Sequence, residues 1–378
     1  MSKEINVGIV GTQFMGRSHS NAYVDVAKFF ELPMKPVMQV ACDINTESLA
    51  AFQGRFGWKN GETSWKKMVQ REDVDLVDIC TSNATHMPIA VAAARNGKHV
   101  ICEKPAALNV REARQMWDAA AEAGVVNLIA FNYRRVPALV LAQKLIQEGK
   151  LGRIYHFNAF YLQDWLVDPQ FPMVWRHDKK VAGSGAHGDL NAHIIDQARF
   201  LIGEIEAVTG AEATFIKERP IAGASGKGQV TVDDATQFLA RFSNGAMGVF
   251  SSTRMASGCK NLLRLEIYGS EGGIMFNLER LNELQYYSRK DHGSVQGYRT
   301  IMVTEGVHPY INAWWPAGHI IGWEHTFIHE VRDTLVAIAK KKPVYPDFFD
   351  GLRCQQVLDA VSKSAASGKW VQIPEESR

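Results

Sequence analysis

Two stretches carry residue types able to take a proton from a hydroxyl group: "CEKPAAL" at 102–108 and "AGSGAHGDLNAHIIDQARFLIG" at 182–203. In the first, Lys104 precedes Pro105. A lysine in a partly desolvated pocket can have its pKa lowered enough to polarise or deprotonate a hydroxyl. In the second, glycines 183, 185 and 188 give a flexible entry to a helix expected to run to Gly203. Asp189 and His193 are four residues apart, which puts both on one face of that helix. A carboxylate so placed can orient an imidazole and hold its proton-accepting tautomer. Each stretch alone also has a plainer reading: a surface lysine in a turn, and a capping Asp with a core His.

A third stretch, "VGIVGTQFMGRSH" at 7–19, nearly matches the G-x-G-x-x-G loop that cradles a dinucleotide pyrophosphate. Gly11 and Gly16 hold the outer places, Gln13 replaces the middle glycine, and Phe14 and Met15 complete the turn. Gln13 fits such a loop if its side chain points outward and only its N–H faces the phosphates. Asp43 ends the next strand in "VACDIN", where a carboxylate can take the ribose hydroxyls of NAD and repel a 2′-phosphate. The plainer reading is an ordinary strand-end Asp in a domain without cofactor.

The elements that must position these residues are legible from periodicity. "INVGIV" (5–10), "VMQVAC" (37–42), "DLVDIC" (75–80), "HVIC" (99–102) and "VNLIAF" (126–131) read as buried parallel strands separated by helical segments. In "NVREARQMWDAAAEAG", Asn109 caps, Glu112 completes the capping-box spacing and Gly124 stops the helix. The expected fold is α/β. A Rossmann doubly wound parallel sheet spans 1–131 and binds NAD. An α+β domain on a mostly antiparallel open sheet spans 132–378, to which the resemblance described below assigns substrate binding and oligomerisation. "CTSNATH" (80–86) and "CEKPAAL" then project from one carboxyl edge, where ligands of such folds bind. Asn244-Gly245 signals a hairpin, and "IAGASGKGQ" (221–229) reads as a surface loop.

Composition narrows the class. A formal charge of +2 on 378 residues leaves no basic field for nucleic acid. No run approaches the ~18 apolar residues of a membrane span, and the N-terminus lacks a signal-peptide pattern. Five widely spaced cysteines without C-x-x-C predict neither disulfides nor a zinc site, and a reducing, cytoplasmic setting. The segment "NAWWPAGHIIGWEHTFIHE" (312–330) has two readings, a sugar-stacking wall or aromatic packing above a helix beginning near Glu324. His325 and His329 share a face there, but no glutamate-based zinc motif accompanies them, and no metal is expected.

The loop, "CEKP", "FNYRR" and "GSGAxGDxxxH", in that order and over nearly the whole chain, resemble the glucose–fructose oxidoreductase and inositol dehydrogenase (Gfo/Idh/MocA) family. "AFNYRR-PA", "YLQDW--DP--P--WR" and "AGSGA-GD---H-ID-AR" are similar to its levoglucosan-oxidising and related pyranoside 3-dehydrogenases. The resemblance implies NAD-dependent oxidation of a secondary hydroxyl of a sugar or glycoside, at C3. His193 would take the proton, Asp189 orient it and Lys104 polarise the oxygen. Thr81, Asn83, His86 and Glu103 would line the cofactor, with Trp175 and Arg176 at its nicotinamide end. Tyr133, Gln163, Trp165 and Arg176 would meet the substrate. Family members tolerate replacement of the loop's middle glycine, and they pair as homo-oligomers, dimers or tetramers, through the open sheet face. His187 departs from the pattern, standing where the levoglucosan-oxidising group carries an apolar residue, and would either alter substrate choice or point into the sheet. Three other activities share the machinery: inositol or polyol oxidation, glycosidic cleavage through transient 3-oxidation, and sugar sensing without turnover.

Overall fold

The computed structural model describes residues 3–378. Contacts divide them into two units, one of residues up to 135 together with 322–353, the other of 136–321 with 354–378.

The first unit alternates strands and helices. β1 (Lys3–Val10), α1 (Phe14–Phe29), β2 (Met34–Cys42), α2 (Thr46–Phe56), β3 (Asn60–Glu62) and α3 (Trp65–Met68) form its first half. β4 (Leu76–Ile79), α4 (His86–Arg95), β5 (His99–Glu103), α5 (Val110–Ala123) and β6 (Asn127–Ala130) form the second. The sheet order is β3-β2-β1-β4-β5-β6, all parallel. Val7, Ile9, Leu76, Ile79, Val100 and Leu128 are buried, as strands covered on both faces must be. Local chemistry sets the helix ends as expected. Asn109 accepts from the Glu112 N–H at 3.1 Å, and Gly124 closes α5 in the left-handed region.

The second unit holds α6 (Pro137–Gln147), β7 (Ile154–Leu162), α7 (Lys179–Ala182), α8 (Ala192–Leu201) and β8 (Ile205–Ala213). The hairpin of β9 (Glu218–Pro220) and β10 (Lys227–Gln229) follows. "IAGASGKGQ" is therefore a loop only over its middle, since its last residues pair back as a strand. β11 (Ala235–Phe242), β12 (Met247–Thr253), β13 (Leu262–Gly269), β14 (Gly272–Asn277), β15 (Glu283–Ser288) and β16 (Arg299–Met302) complete most of a large sheet. Its order is β16-β15-β14-β13-β7-β12-β11-β8-β17, where β17 is Val371–Gln372. Every pairing is antiparallel except β7 with β12. The hairpin at Asn244-Gly245 joins β11 to β12, with Gly245 at φ 84°.

One boundary differs from the sequence reading. Residues 322–353, placed there in the second domain, pack with the first unit. They contain α9 (Glu324–Lys340), which lies on α1, and the first turn and a half of α10 (Phe348–Ser367). No cue short of three-dimensional packing marks that return.

Candidate active site

In the first unit the turn from β1 to α1 is a sterically closed loop. Gly11 has φ 101°, and a Cβ there would stand 2.5 Å from the Cys80 carbonyl oxygen. A Cβ on Gly16 would lie 2.0 Å from the Gly11 oxygen. Both outer glycines are required. Gln13 is not so constrained: its φ is −82°, its side chain is exposed, and its Nε2 donates to Ser48 Oγ at 3.2 Å. No side chain caps α1 and no acidic residue stands in its first turn. The unsatisfied N–H groups and the positive dipole end therefore suit a pyrophosphate.

Asp43 at the end of β2 braces this loop. Its Oδ2 accepts from the Thr12 N–H at 3.0 Å and the Thr12 hydroxyl at 2.6 Å, and its Oδ1 from the Asn45 N–H at 3.0 Å. Ile44, next in the chain, is 88% exposed, an apolar shelf that the sequence reading overlooked. Phe14 stacks flat on Trp323 with centroids 5.4 Å apart, and Trp323 meets Phe327 edge-on. That half of the Trp/His segment is thus aromatic packing at the start of α9. His329 is buried with Nδ1 3.0 Å from the Arg135 carbonyl, and burial depresses it to about 3. His325 Nδ1 accepts from the Gly322 N–H.

Beneath the carboxyl edge lies a buried ionic cluster. His19 Nδ1 faces Asp78 at 2.9 Å and Nε2 faces Glu103 at 3.0 Å, while the Tyr23 hydroxyl donates to Asp78 at 2.8 Å. Burial works against a charged ring, yet Asp78 overrides it and holds His19 well above its ordinary pKa. Glu103 Oε2 in turn accepts from the Lys104 N–H at 3.1 Å, at a cis Lys104–Pro105 bond. His86 faces the Pro105 carbonyl at 2.9 Å and the Thr81 carbonyl at 3.2 Å. Both His86 and Glu103 are buried, with ring and carboxylate engaged inside the protein. They brace the strand ends from below. Asn83 and Tyr133 are also buried, while Thr81 and Lys104 are half-buried.

In the second unit the glycine-rich entry is clamped rather than flexible. Asp233 accepts from the Gly185 N–H at 2.6 Å and the His187 N–H at 2.7 Å. The expected helix starts differently: His187–Asn191 form a π turn that leads into α8. The i, i+4 face of a regular helix therefore does not carry from Asp189 to His193, and π turns often mark functional sites. His187 is 1% exposed. Its Nε2 faces the Leu358 carbonyl at 2.9 Å and so carries the proton, leaving Nδ1 to accept from the Asn191 amide at 2.9 Å. It points into the core.

Asp189 accepts from Arg254 Nη2 at 2.7 Å. The Arg254 guanidinium lies 5.3 Å from the Trp165 ring centroid. The Trp165 indole donates to Gln163 Oε1 at 2.9 Å, and Gln163 Nε2 donates to Asn261 Oδ1 at 2.8 Å. Asn261 Oδ1 also accepts from the Tyr161 hydroxyl at 2.9 Å, and the Tyr161 ring contacts that of His193 at 5.7 Å. One chain of contacts thus joins Asp189, Trp165, Gln163 and His193. Tyr161, Arg254 and Asn261 were missed, because no motif spacing ties them to their partners. Trp175 and Arg176 stack on each other at 4.4 Å. Burial, then the cations of Arg219, Arg254 and Arg176, depress the neighbouring His177 to about 4.

Glu330 of α9 generates a pH prediction. Burial pushes its carboxyl up to about 8, partly offset by Arg135 and His19. Between about pH 5 and 8 the folded chain holds a proton that the unfolded chain has released, so stability falls as pH rises. His19, whose raised pKa is stabilising at low pH, adds to the same trend. Glu330→Gln removes the Glu330 titration and leaves those of the histidines in place. Its thermal midpoint should decline less over that range than the wild type's, and an equal or steeper decline would refute the assignment.

Comparison with known proteins extends these observations. Residues 5–131 match the sequence model of an oxidoreductase family with an NAD-binding Rossmann fold, and residues 139–275 match the GFO/IDH/MocA C-terminal domain. Levoglucosan dehydrogenase of Pseudarthrobacter phenanthrenivorans is 43% identical over 99% of this chain and 100% of its own. A solved levoglucosan dehydrogenase in complex with NADH and levoglucosan superposes with a TM-score of 0.96 at 44% identity, over 98% of this chain and 100% of that one. An oxidoreductase domain protein from Kribbella flavida does so with a TM-score of 0.96 at 47% identity, over 99% and 100%.

Proposed function

The chain belongs to the Gfo/Idh/MocA family of NAD-binding oxidoreductases, and from that premise we propose that it oxidises a secondary hydroxyl of a sugar or glycoside, at C3, to a keto sugar. The observation that carries this reading is the set of amide, indole, guanidinium and carboxylate groups running from Gln163 through Trp165 and Arg254 to Asp189. Directional donors and acceptors beside an aromatic ring suit a ligand made of hydroxyls on an apolar ring face.

Bound NAD supplies the hydride acceptor. His193 takes the hydroxyl proton, Asp189 sets its orientation and Lys104 polarises the oxygen. Gly11, Gln13, Phe14, Met15 and Gly16 receive the pyrophosphate, and Asp43 the ribose. Thr81, Asn83, His86 and Glu103 border the cofactor, with Trp175 and Arg176 toward its nicotinamide end. Tyr133, Gln163, Trp165 and Arg176 hold the sugar.

The test is NADH formation at 340 nm with NAD and a panel of levoglucosan, glucosides, free hexoses and inositols. Signal confined to pyranosides supports the reading. A preference for inositols replaces it with polyol oxidation, and aglycone release without net NADH with a glycosidase. Binding without turnover indicates a sensor. Lys104→Ala and His193→Ala should each cut kcat by about 10²-fold or more, with cofactor affinity nearly unchanged in the second. Near-normal rates in both would remove these residues from the mechanism. Asp43→Ala should erode the preference for NAD over NADP, and an unaltered preference would reassign Asp43 to bracing Thr12 alone.

We further propose a homo-oligomer, dimer or tetramer, formed through the open face of the large sheet. Leu239, Met247 and Val249 are 43%, 56% and 41% exposed there, on the paired strands β11 and β12. Sedimentation should give a multiple of 42.1 kDa that Val249→Lys reduces; a monomeric wild type would sink this. The described residues contain no helix long and apolar enough to cross a membrane. A cytoplasmic setting is consistent with five free cysteines, and recovery in a secreted fraction would overturn it.

A further inference from the structure

Two buried arginines of the second unit use their donors differently. Arg219 gives Nη1 to the Asp168 carbonyl at 2.8 Å and Nη2 to the Leu166 carbonyl at 2.6 Å, which pins the 164–171 segment to β9. Both terminal nitrogens are spent on backbone carbonyls and only Nε is left without a partner, the pattern of a structural arginine. Arg254, the residue after β12, is equally buried at 2% exposure. Its side chain directs Nη2 to Asp189 Oδ2 at 2.7 Å, while Nε and Nη1 are buried without a hydrogen-bond partner.

Buried donors left unpaired are costly, and a chain that only needed structural glue would not retain two of them. What the guanidinium does hold is specific. One of its edges carries the carboxylate of Asp189, and the group lies over the ring of Trp165. Its backbone is fixed in turn. The Arg254 N–H donates to the Asp234 carbonyl at 3.1 Å, and its carbonyl accepts from the Leu166 N–H at 3.3 Å. Arg254 is therefore held on both sides before it holds anything else. A planar, permanently charged group can pair with a carboxylate and stack on an aromatic ring at once, which an ammonium cannot.

We propose that Arg254 is a positioning residue for the sugar oxidation, one guanidinium that sets the carboxylate of Asp189 and the indole of Trp165 together. This rests on the reading of Asp189 and Trp165 given above. The π turn makes the need concrete, because Asp189 leaves the regular helix path and its orientation must come from outside the helix.

The experiment uses the full-length enzyme with NAD and its best sugar. Arg254→Gln should lower kcat by about 10²-fold and raise the sugar KM, with the NAD KM unchanged. In an Asp189→Asn background the same substitution should cost little further kcat, since it acts through that carboxylate. Arg254→Lys should recover most of kcat but not the sugar KM, since it restores charge and not the stack. A folded Arg254→Gln enzyme with wild-type constants, or an equal loss in the Asp189→Asn background, overturns the proposal. If the Gln variant does not fold, the Lys variant decides, and wild-type kcat and KM there overturn it. A sugar-independent readout separates this from failure of the oxidation reading. With 15N-tryptophan, Arg254→Gln should move the indole N–H signal that Trp165→Phe deletes. An inert wild type would sink the oxidation reading alone, and a stationary Trp165 signal would sink this one.

Discussion

A charge buried away from water must be paired inside the protein, and most of what is distinctive here follows from that rule. In the first unit the pairing is His19 between Asp78 and Glu103. Asp78 lies in β4 and Glu103 ends β5, so the imidazole of α1 links the two strands whose ends lead to Thr81 and Lys104. The Lys104 N–H is then anchored by the other oxygen of Glu103. A lysine on a loose turn would have no fixed geometry. Here the turn is tied to the sheet by a network that costs a great deal to disturb.

In the second unit the same rule sets the entry to α8. Asp233 is buried because two backbone N–H groups of the glycine-rich turn satisfy it, and the turn is fixed because Asp233 is there. Asp189 and Arg254 repeat the arrangement one turn later with a half-exposed carboxylate. Rigid clamps thus flank a residue that remains open to solvent, the combination expected where a ligand arrives.

How much of this could be read from the chain depended on the range of the interaction. The β1–α1 loop, the Asn109 cap, the Asn244-Gly245 turn and the start of α9 near Glu324 are written within a few residues of themselves, and the expectations for them held. The helix through Asp189 and His193 was expected to be regular; the π turn there begins at His187, whose N–H is held by Asp233, 46 residues further along. Arg254 and Asn261 had no local signature, since their partners are at 189 and 163. His187 had two readings, and its Leu358 carbonyl neighbour reveals the inward one. The Trp/His segment had two readings, and Trp323 follows the packing one through its stack on Phe14.

The return of residues 322–353 to the first unit has a consequence for how such a chain can be inherited or recombined. The nucleotide-fold half is not a contiguous cassette. A fragment ending at residue 131 would lack Trp323, Phe327 and His329, which lie against Phe14, His19 and Phe30 of α1 and the residue after it. It would also open the His19 cluster to water on the side that α9 covers. A crossover that exchanges this half must therefore carry two separate gene segments, and so must one that exchanges the second unit, residues 136–321 with 354–378. Fusion partners and truncated expression products of this chain face the same rule.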